Sequence, residues 1–108
     1  MESWEKFDIS RRWREKHGIK PTDHHKINAD SIKTMRDVQI LLSHGREFSV
    51  LYKGIEALIT TSMCSGYSVQ SSENYYDTDD LDEFGEHATL GPYLLKDIVD
   101  QLEITDLA

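Results

Sequence analysis

A single cysteine, Cys64, stands among 108 residues. That excludes an intramolecular disulfide framework and a cysteine-rich zinc site. No apolar run approaches the roughly 20 residues that cross a bilayer, and Met1 to Ser10 lacks the apolar stretch of a signal peptide. A cytoplasmic location is therefore expected. No glycine-rich phosphate loop is present, and no nucleophile, base and orienting group stand at an interpretable spacing, so an enzyme is not expected. The most uneven shortage is of positive charge. Residues 47–108 carry two Lys/Arg against thirteen Asp/Glu, a net −11, whereas residues 1–46 carry ten against seven, a net +3; together these give the −8 of the chain. The second half should repel nucleic acid and attract basic surfaces.

At this length the chain fits one modest core without covalent staples. The stretch Arg46 to Thr61 organises it. Phe48, Val50 and Tyr52 alternate with polar or outward positions, Lys53-Gly54 interrupts, and Ile55, Ala57 and Ile59 resume the alternation. A hairpin turn at Lys53-Gly54 sets Tyr52 opposite Ile55, Val50 opposite Ala57 and Phe48 opposite Ile59, so that all six share one apolar face. Because Lys suits a left-handed turn position poorly, Gly54 is expected to take that conformation within a three-residue loop. Tyr67 to Gln70 reads as a third strand, antiparallel to the second. The turn before it holds Cys64, an ordinary loop thiol with no base or basic cluster nearby in sequence.

Helical spacing appears on either side. Ile32, Met35, Val38, Gln39 and Leu42 recur three to four residues apart, Thr34 and Asp37 resemble a capping box, and Gly45 ends the segment. After Gly91-Pro92, Leu94, Leu95, Ile98, Val99 and Leu102 predict a closing helix over 92–103. The fold expected is therefore α+β: a small three-stranded antiparallel sheet, near 47–52, 55–61 and 67–71, packed against helices near 32–44 and 92–103. Phe48, Val50, Tyr52, Ile59, Leu42, Ile98 and Leu102 should be its core.

Two domains are expected within this order, residues 1–29 as a basic, tryptophan-containing helix and linker, and residues 30–108 as the α+β core with its acidic C-terminal half. In the arm, Asp8 or Ser10 can cap a helix bearing Ile9 and Trp13, closed by Gly18 and Ile19. Its basic residues with interleaved aromatics suggest nucleic-acid binding, but the negative whole-chain charge opposes the counterion release that drives it. Trp4, Arg11, Arg12 and Trp13 are instead candidates for docking on the domain or on another copy. Lys20 to Asp30 reads as a polar linker. His24 and His25 on an extended linker point opposite ways and no fourth ligand follows at helical spacing, so no metal is assigned and no cofactor is expected.

The densest acidic run is Glu73 to Glu86. An EF-hand reading fails, because Asp82 and Ala88 stand where glycine and glutamate are needed. Leu81 and Phe84 suit a short helix capped by Asp77 or Thr78. Asp77, Asp79, Asp80, Asp82, Glu83 and Glu86 are the candidate partner-binding residues, a row of carboxylates able to imitate a phosphate backbone.

The segment Thr34 to Tyr52 (TMRDVQILLSHGREFSVLY), the hairpin turn, and LLKDIVDQLEI at 94–104 resemble small uncharacterised proteins of Gram-positive bacterial genomes and prophages. The resemblance implies a helix, an entry through Gly-Arg-Glu-Phe to a hairpin, and a closing helix; it implies no catalytic residue. Small acidic phage-type proteins, anti-CRISPR inhibitors among them, are similar in charge and size. The function expected is a non-catalytic binding or inhibitor protein that engages a basic, nucleic-acid-binding protein surface, with no direct nucleic-acid or membrane binding. The alternative is a self-associating interaction module, a homodimer built through the basic arm.

Overall fold

A computed structural model describes residues 2–20, 22–28, 30–62 and 66–107, with side chains for all of these except 2–8 and 62. Cys64 and the Trp4 side chain lie outside the described residues.

The first element, α1 (Glu2–Lys16), is longer than the sequence suggests. Its end follows the expected chemistry. Gly18 adopts φ +69°, its N–H bonds the Glu15 carbonyl at 3.3 Å, and the Ile19 N–H reaches back to Arg14 at 2.8 Å. That pair of bonds satisfies carbonyls the helix leaves open, and Ile19 then packs on the core. The helix α2 (Met35–Ser43) starts where the capping box places it, with both arms formed: Asp37 N–H to Thr34 Oγ1 at 3.3 Å, and Thr34 N–H to Asp37 Oδ2 at 3.0 Å. Between them Asp23–Lys26 makes one 3₁₀ turn, where an extended linker was expected.

The sheet departs further from the reading of three strands. Five strands hydrogen-bond in one antiparallel sheet: β1 (Phe48–Tyr52), β2 (Ile55–Ser62), β3 (Gly66–Ser71), β4 (Tyr75–Thr78) and β7 (Glu103–Leu107), in the order β4-β3-β2-β1-β7. The register of β1 on β2 is the one the alternation dictates, Phe48 on Ile59, Val50 on Ala57 and Tyr52 on Ile55. The turn differs: Lys53 (φ +48°) and Gly54 (φ +81°) both take left-handed conformations, giving a two-residue loop. For a non-glycine residue this costs about 1–2 kcal/mol. The Lys53 ammonium lies 5.5 Å from the Tyr52 ring centroid and 5.4 Å from that of Tyr93, contacts worth about 0.5–1 kcal/mol each at an exposed site. The two effects are of one size, so lysine is tolerated here.

Between β4 and β7 the chain forms α3 (Leu81–His87), a two-stranded ladder of β5 (Thr89–Leu90) and β6 (Tyr93–Leu94), a single helical turn α4 (Leu95–Ile98) and a 3₁₀ turn Val99–Gln101. The closing helix expected over 92–103 is thus absent. Gly91 (φ +60°) and Pro92 turn the ladder instead of starting a helix, and Leu94 faces outward. The reason lies in β1, whose second edge would otherwise expose unpaired backbone groups; Glu103 to Leu107, with β-branched Ile104 and Thr105, pairs with it. Asn74 pins the ladder to the β3–β4 turn, its Nδ2 donating to Thr89 Oγ1 at 2.7 Å and its Oδ1 accepting from the Gly91 N–H at 2.7 Å.

One core results. Phe48, Val50, Tyr52, Ala57, Ile59, Tyr67 and Val69 from one face of the sheet meet Val38, Leu41 and Leu42 of α2, Leu81 and Phe84 of α3, and Leu95, Ile98 and Val99. Six of the seven expected core residues are buried and Leu102 is half-buried against them. Trp13 and Ile27, from the arm, belong to the same core. Leu51, Leu58 and Tyr75 project from the other face of the sheet and lie outside it.

Candidate functional site

The acidic run and the basic arm meet in one molecule. Trp13, one helical turn after Ile9, is only 5% exposed. Its indole N–H donates to Asp82 Oδ1 at 3.0 Å, and the same carboxylate takes the Lys16 ammonium at 2.9 Å and His17 Nε2 at 3.0 Å. The His17 ring packs 4.8 Å from Trp13 and the Arg36 guanidinium of α2 lies over the indole at 5.3 Å. Asp82 thus joins α1 to α3, and Arg36 brings in α2. The bond from Lys16 is the main cause that brings the Asp82 carboxyl down to about 2, assisted by Trp13 and His17 and opposed by partial burial. The Lys16 ammonium is raised in turn, chiefly by Asp82.

The rest of the run divides by use. Asp80, rather than Asp77 or Thr78, caps α3, accepting from Asp82 N–H at 2.9 Å and Glu83 N–H at 3.3 Å. Glu83 accepts from Thr78 Oγ1 at 2.9 Å, and Glu86 pairs with Lys96 at 3.0 Å. Asp77 and Asp79 are exposed and take part in none of the salt bridges among the described residues. A cleft of about 400 Å³ separates Arg12, Trp13 and Lys16 from Asp79 and Asp80, so the acids nearest α1 face cations of their own chain. Of the candidate arm residues, Arg11 lies beside Glu15 on the exposed side of α1, and Arg12 lines this cleft. For Trp13 to dock on another copy, its indole would have to leave the core.

Comparison with family models, curated proteins and solved structures finds no match to this chain. What it can do therefore rests on its own side chains.

A histidine group forms a second site at the opposite end of α2. The 3₁₀ turn brings the His24 and His25 rings edge to face at 4.1 Å, correcting the expectation that they diverge, and stacks His24 on His44 at 4.1 Å. His24 Nδ1 and His44 Nε2 are buried without a hydrogen-bond partner. Beside them the Arg14 guanidinium donates to the Ser43 carbonyl in the last turn of α2. Burial, with Arg14 and His24 adding repulsion, lowers the His44 imidazole to about 4; burial and His25 lower His24. Among the described residues nothing hydrogen-bonds these two nitrogens, and the stacked pair packs the linker against the end of α2. Among the described residues no group of three or more His, Cys, Asp and Glu is arranged to hold a metal ion, and no helix is long and apolar enough to cross a membrane.

The sequence could not reveal the Asp82 junction, because Trp13 and Asp82 are 69 residues apart. Only the polarity of the two segments, one basic and one acidic, hinted at it.

Proposed function

We propose that this chain is a small non-catalytic binding protein that engages a basic surface of a protein partner in the cytoplasm, occupying a surface that otherwise meets nucleic acid. One observation carries the reading. Both cations of the C-terminal half are engaged within the molecule, Lys96 on Glu86 and Lys53 over Tyr52 and Tyr93, while Glu56, Asp77, Asp79, Glu103 and Asp106 take part in none of the salt bridges among the described residues. The surface beyond the arm is thus acidic with little internal compensation, which draws Lys- and Arg-bearing partners and repels phosphate. The size and charge it shares with phage-type inhibitors agree with this reading.

The test is retention of host proteins on the immobilised chain at low and high salt. A nucleic-acid-binding protein that is retained at low salt, released at high salt and displaced by added DNA or RNA is the expected result. Retention only of proteins indifferent to both salt and nucleic acid would remove the proposal.

A further inference from the structure

The five strands of the sheet contain no Lys, Arg or His, and four acids: Glu56, Asp77, Glu103 and Asp106. Pairing shows where these point. In one row across the sheet Tyr75 pairs Gln70, Gln70 pairs Leu58, Leu58 pairs Ser49 and Ser49 pairs Asp106; in the next, Glu56 pairs Leu51 and Leu51 pairs Glu103. Asp77 pairs Ser68 one row the other way. Directly paired residues share a face, and side chains two apart on a strand share it too. All four acids therefore stand on the face opposite the core, which is open around Leu58 (38% exposed), Tyr75 (56% exposed) and half-buried Leu51 but closed at Thr60 and Ser68 in the row of Asp77.

The fourth acid is there because of a bulge. From Glu103, strict alternation would send Ile104 to the core, Asp106 to the core and Leu107 to water. The register shifts between Ser49 and Val50, leaving Thr105 as the extra residue. Asp106 then falls on the open face opposite Ser49, and Leu107 packs against the core opposite Phe48. Thr105, Ser49, Leu58, Gln70 and Glu56 line an open depression of about 570 Å³ there.

We propose that this face docks a basic amphipathic segment of the partner, its apolar side chains on Leu58, Leu51 and Tyr75 and its Lys or Arg heads on Glu56, Glu103, Asp106 and Asp77. The inference rests on the basic-partner reading and deepens it by giving the surface. Charge selects the occupant. A second copy laid face to face would oppose four carboxylates to four carboxylates, and a nucleic acid or anionic lipid meets the same repulsion. Lys and Arg suit the arrangement because their aliphatic stems cover apolar surface while their heads reach carboxylates at its margin. Four gaps of about 4.8 Å make the sheet about 19 Å wide, which accommodates one helix of about 10–12 Å diameter rather than a domain.

The experiment uses the full chain, ¹⁵N-labelled, titrated at low salt with a synthetic Leu/Lys amphipathic peptide and with the same peptide carrying Glu for Lys. Amide shifts confined to 49–51, 56–58, 70, 75–77 and 103–106, with the Lys peptide alone, are expected. Glu56→Gln with Glu103→Gln should weaken binding about tenfold, as loss of two exposed charge pairs implies, and Leu58→Ser should weaken it independently. Unshifted amides elsewhere in the variants show that the fold is kept. Shifts confined to 79–87, or spread over both regions, overturn the docking face and leave the basic-partner reading standing. Equal shifts at the sheet with both peptides overturn the charge-based proposal and with it the basic partner. Failure of the Lys peptide to bind at low salt overturns both.

Discussion

His44 shows how much of this protein is decided by where one side chain sits. Its ring is stacked on His24, one nitrogen is buried without a partner, and Arg14 stands nearby, so protonation adds charge that burial and Arg14 oppose and Asp23 offsets only in part. The sign follows directly. A histidine lowered from 6.5 to about 4 in the folded state binds protons more readily when unfolded. Stability is full above pH 6.5 and falls as the pH drops from 6.5 to 4. His24 is lowered as well and acts in the same direction. Asp82, lowered from 3.8 to about 2, contributes in the window below, its stabilisation present above 3.8 and lost toward 2. Thermal melting against pH should therefore show a first decline between 6.5 and 4 that is shallower in His44→Gln, and a second below 4 that is shallower in Asp82→Asn. A profile unchanged by His44→Gln would show that the stacked ring does not govern the first decline.

Helix α3 carries a test of its packing. A Cβ at Gly85 would lie 2.4 Å from Gln39 Nε2, which is buried and donates to the Leu81 carbonyl at 2.7 Å. Gly→Ala inside a helix ordinarily stabilises by about 1 kcal/mol. Here the alanine would displace the amide from its acceptor, and leaving such a buried group unpaired costs about 1–3 kcal/mol. Gly85→Ala should thus destabilise, whereas in a Gln39→Ala background the same change should become neutral or stabilising. Denaturant melts of the four proteins measure this, and a stabilising Gly85→Ala in the unaltered background would contradict it. Elements of this kind were only partly legible in the sequence. The capping box of α2 and the glycine ends of α1 and α2 could be read because they are made by residues a few positions apart. The start of α3 was misplaced, since Asp77, Thr78 and Asp80 are all capable caps and tertiary packing of Leu81 and Phe84 chose the last.

At the scale of the molecule the C-terminal segment matters most, because it completes the sheet. Deleting residues 103–107 would uncover the second edge of β1 and the Phe48–Val50 positions that Leu107 and Ile104 flank. A closing helix would lose little more than its frayed end by the same truncation. The expected outcome is a lower, broader melting transition with light-scattering evidence of association, since an exposed apolar edge templates pairing. A truncated chain that melts like the full one and stays monodisperse would show that β7 is dispensable. The sequence by itself determined the capping box and the end of α2, the register of β1 on β2, the third strand and most of the core, because period, caps and turn residues are local and mutually consistent there. It misread the Lys53 loop, missed β4 and took 92–103 for one helix: Leu94 to Leu102 fits a helical stripe as well as it fits a ladder end and two short turns leading into a strand. Only the tertiary structure decided between them, through the unpaired edge of β1. It also decided that Trp13 and Asp82 meet across 69 residues, and that a bulge at Thr105 adds Asp106 to three other carboxylates on one face. Such pairings depend on the path of the whole chain, and no local pattern encodes them.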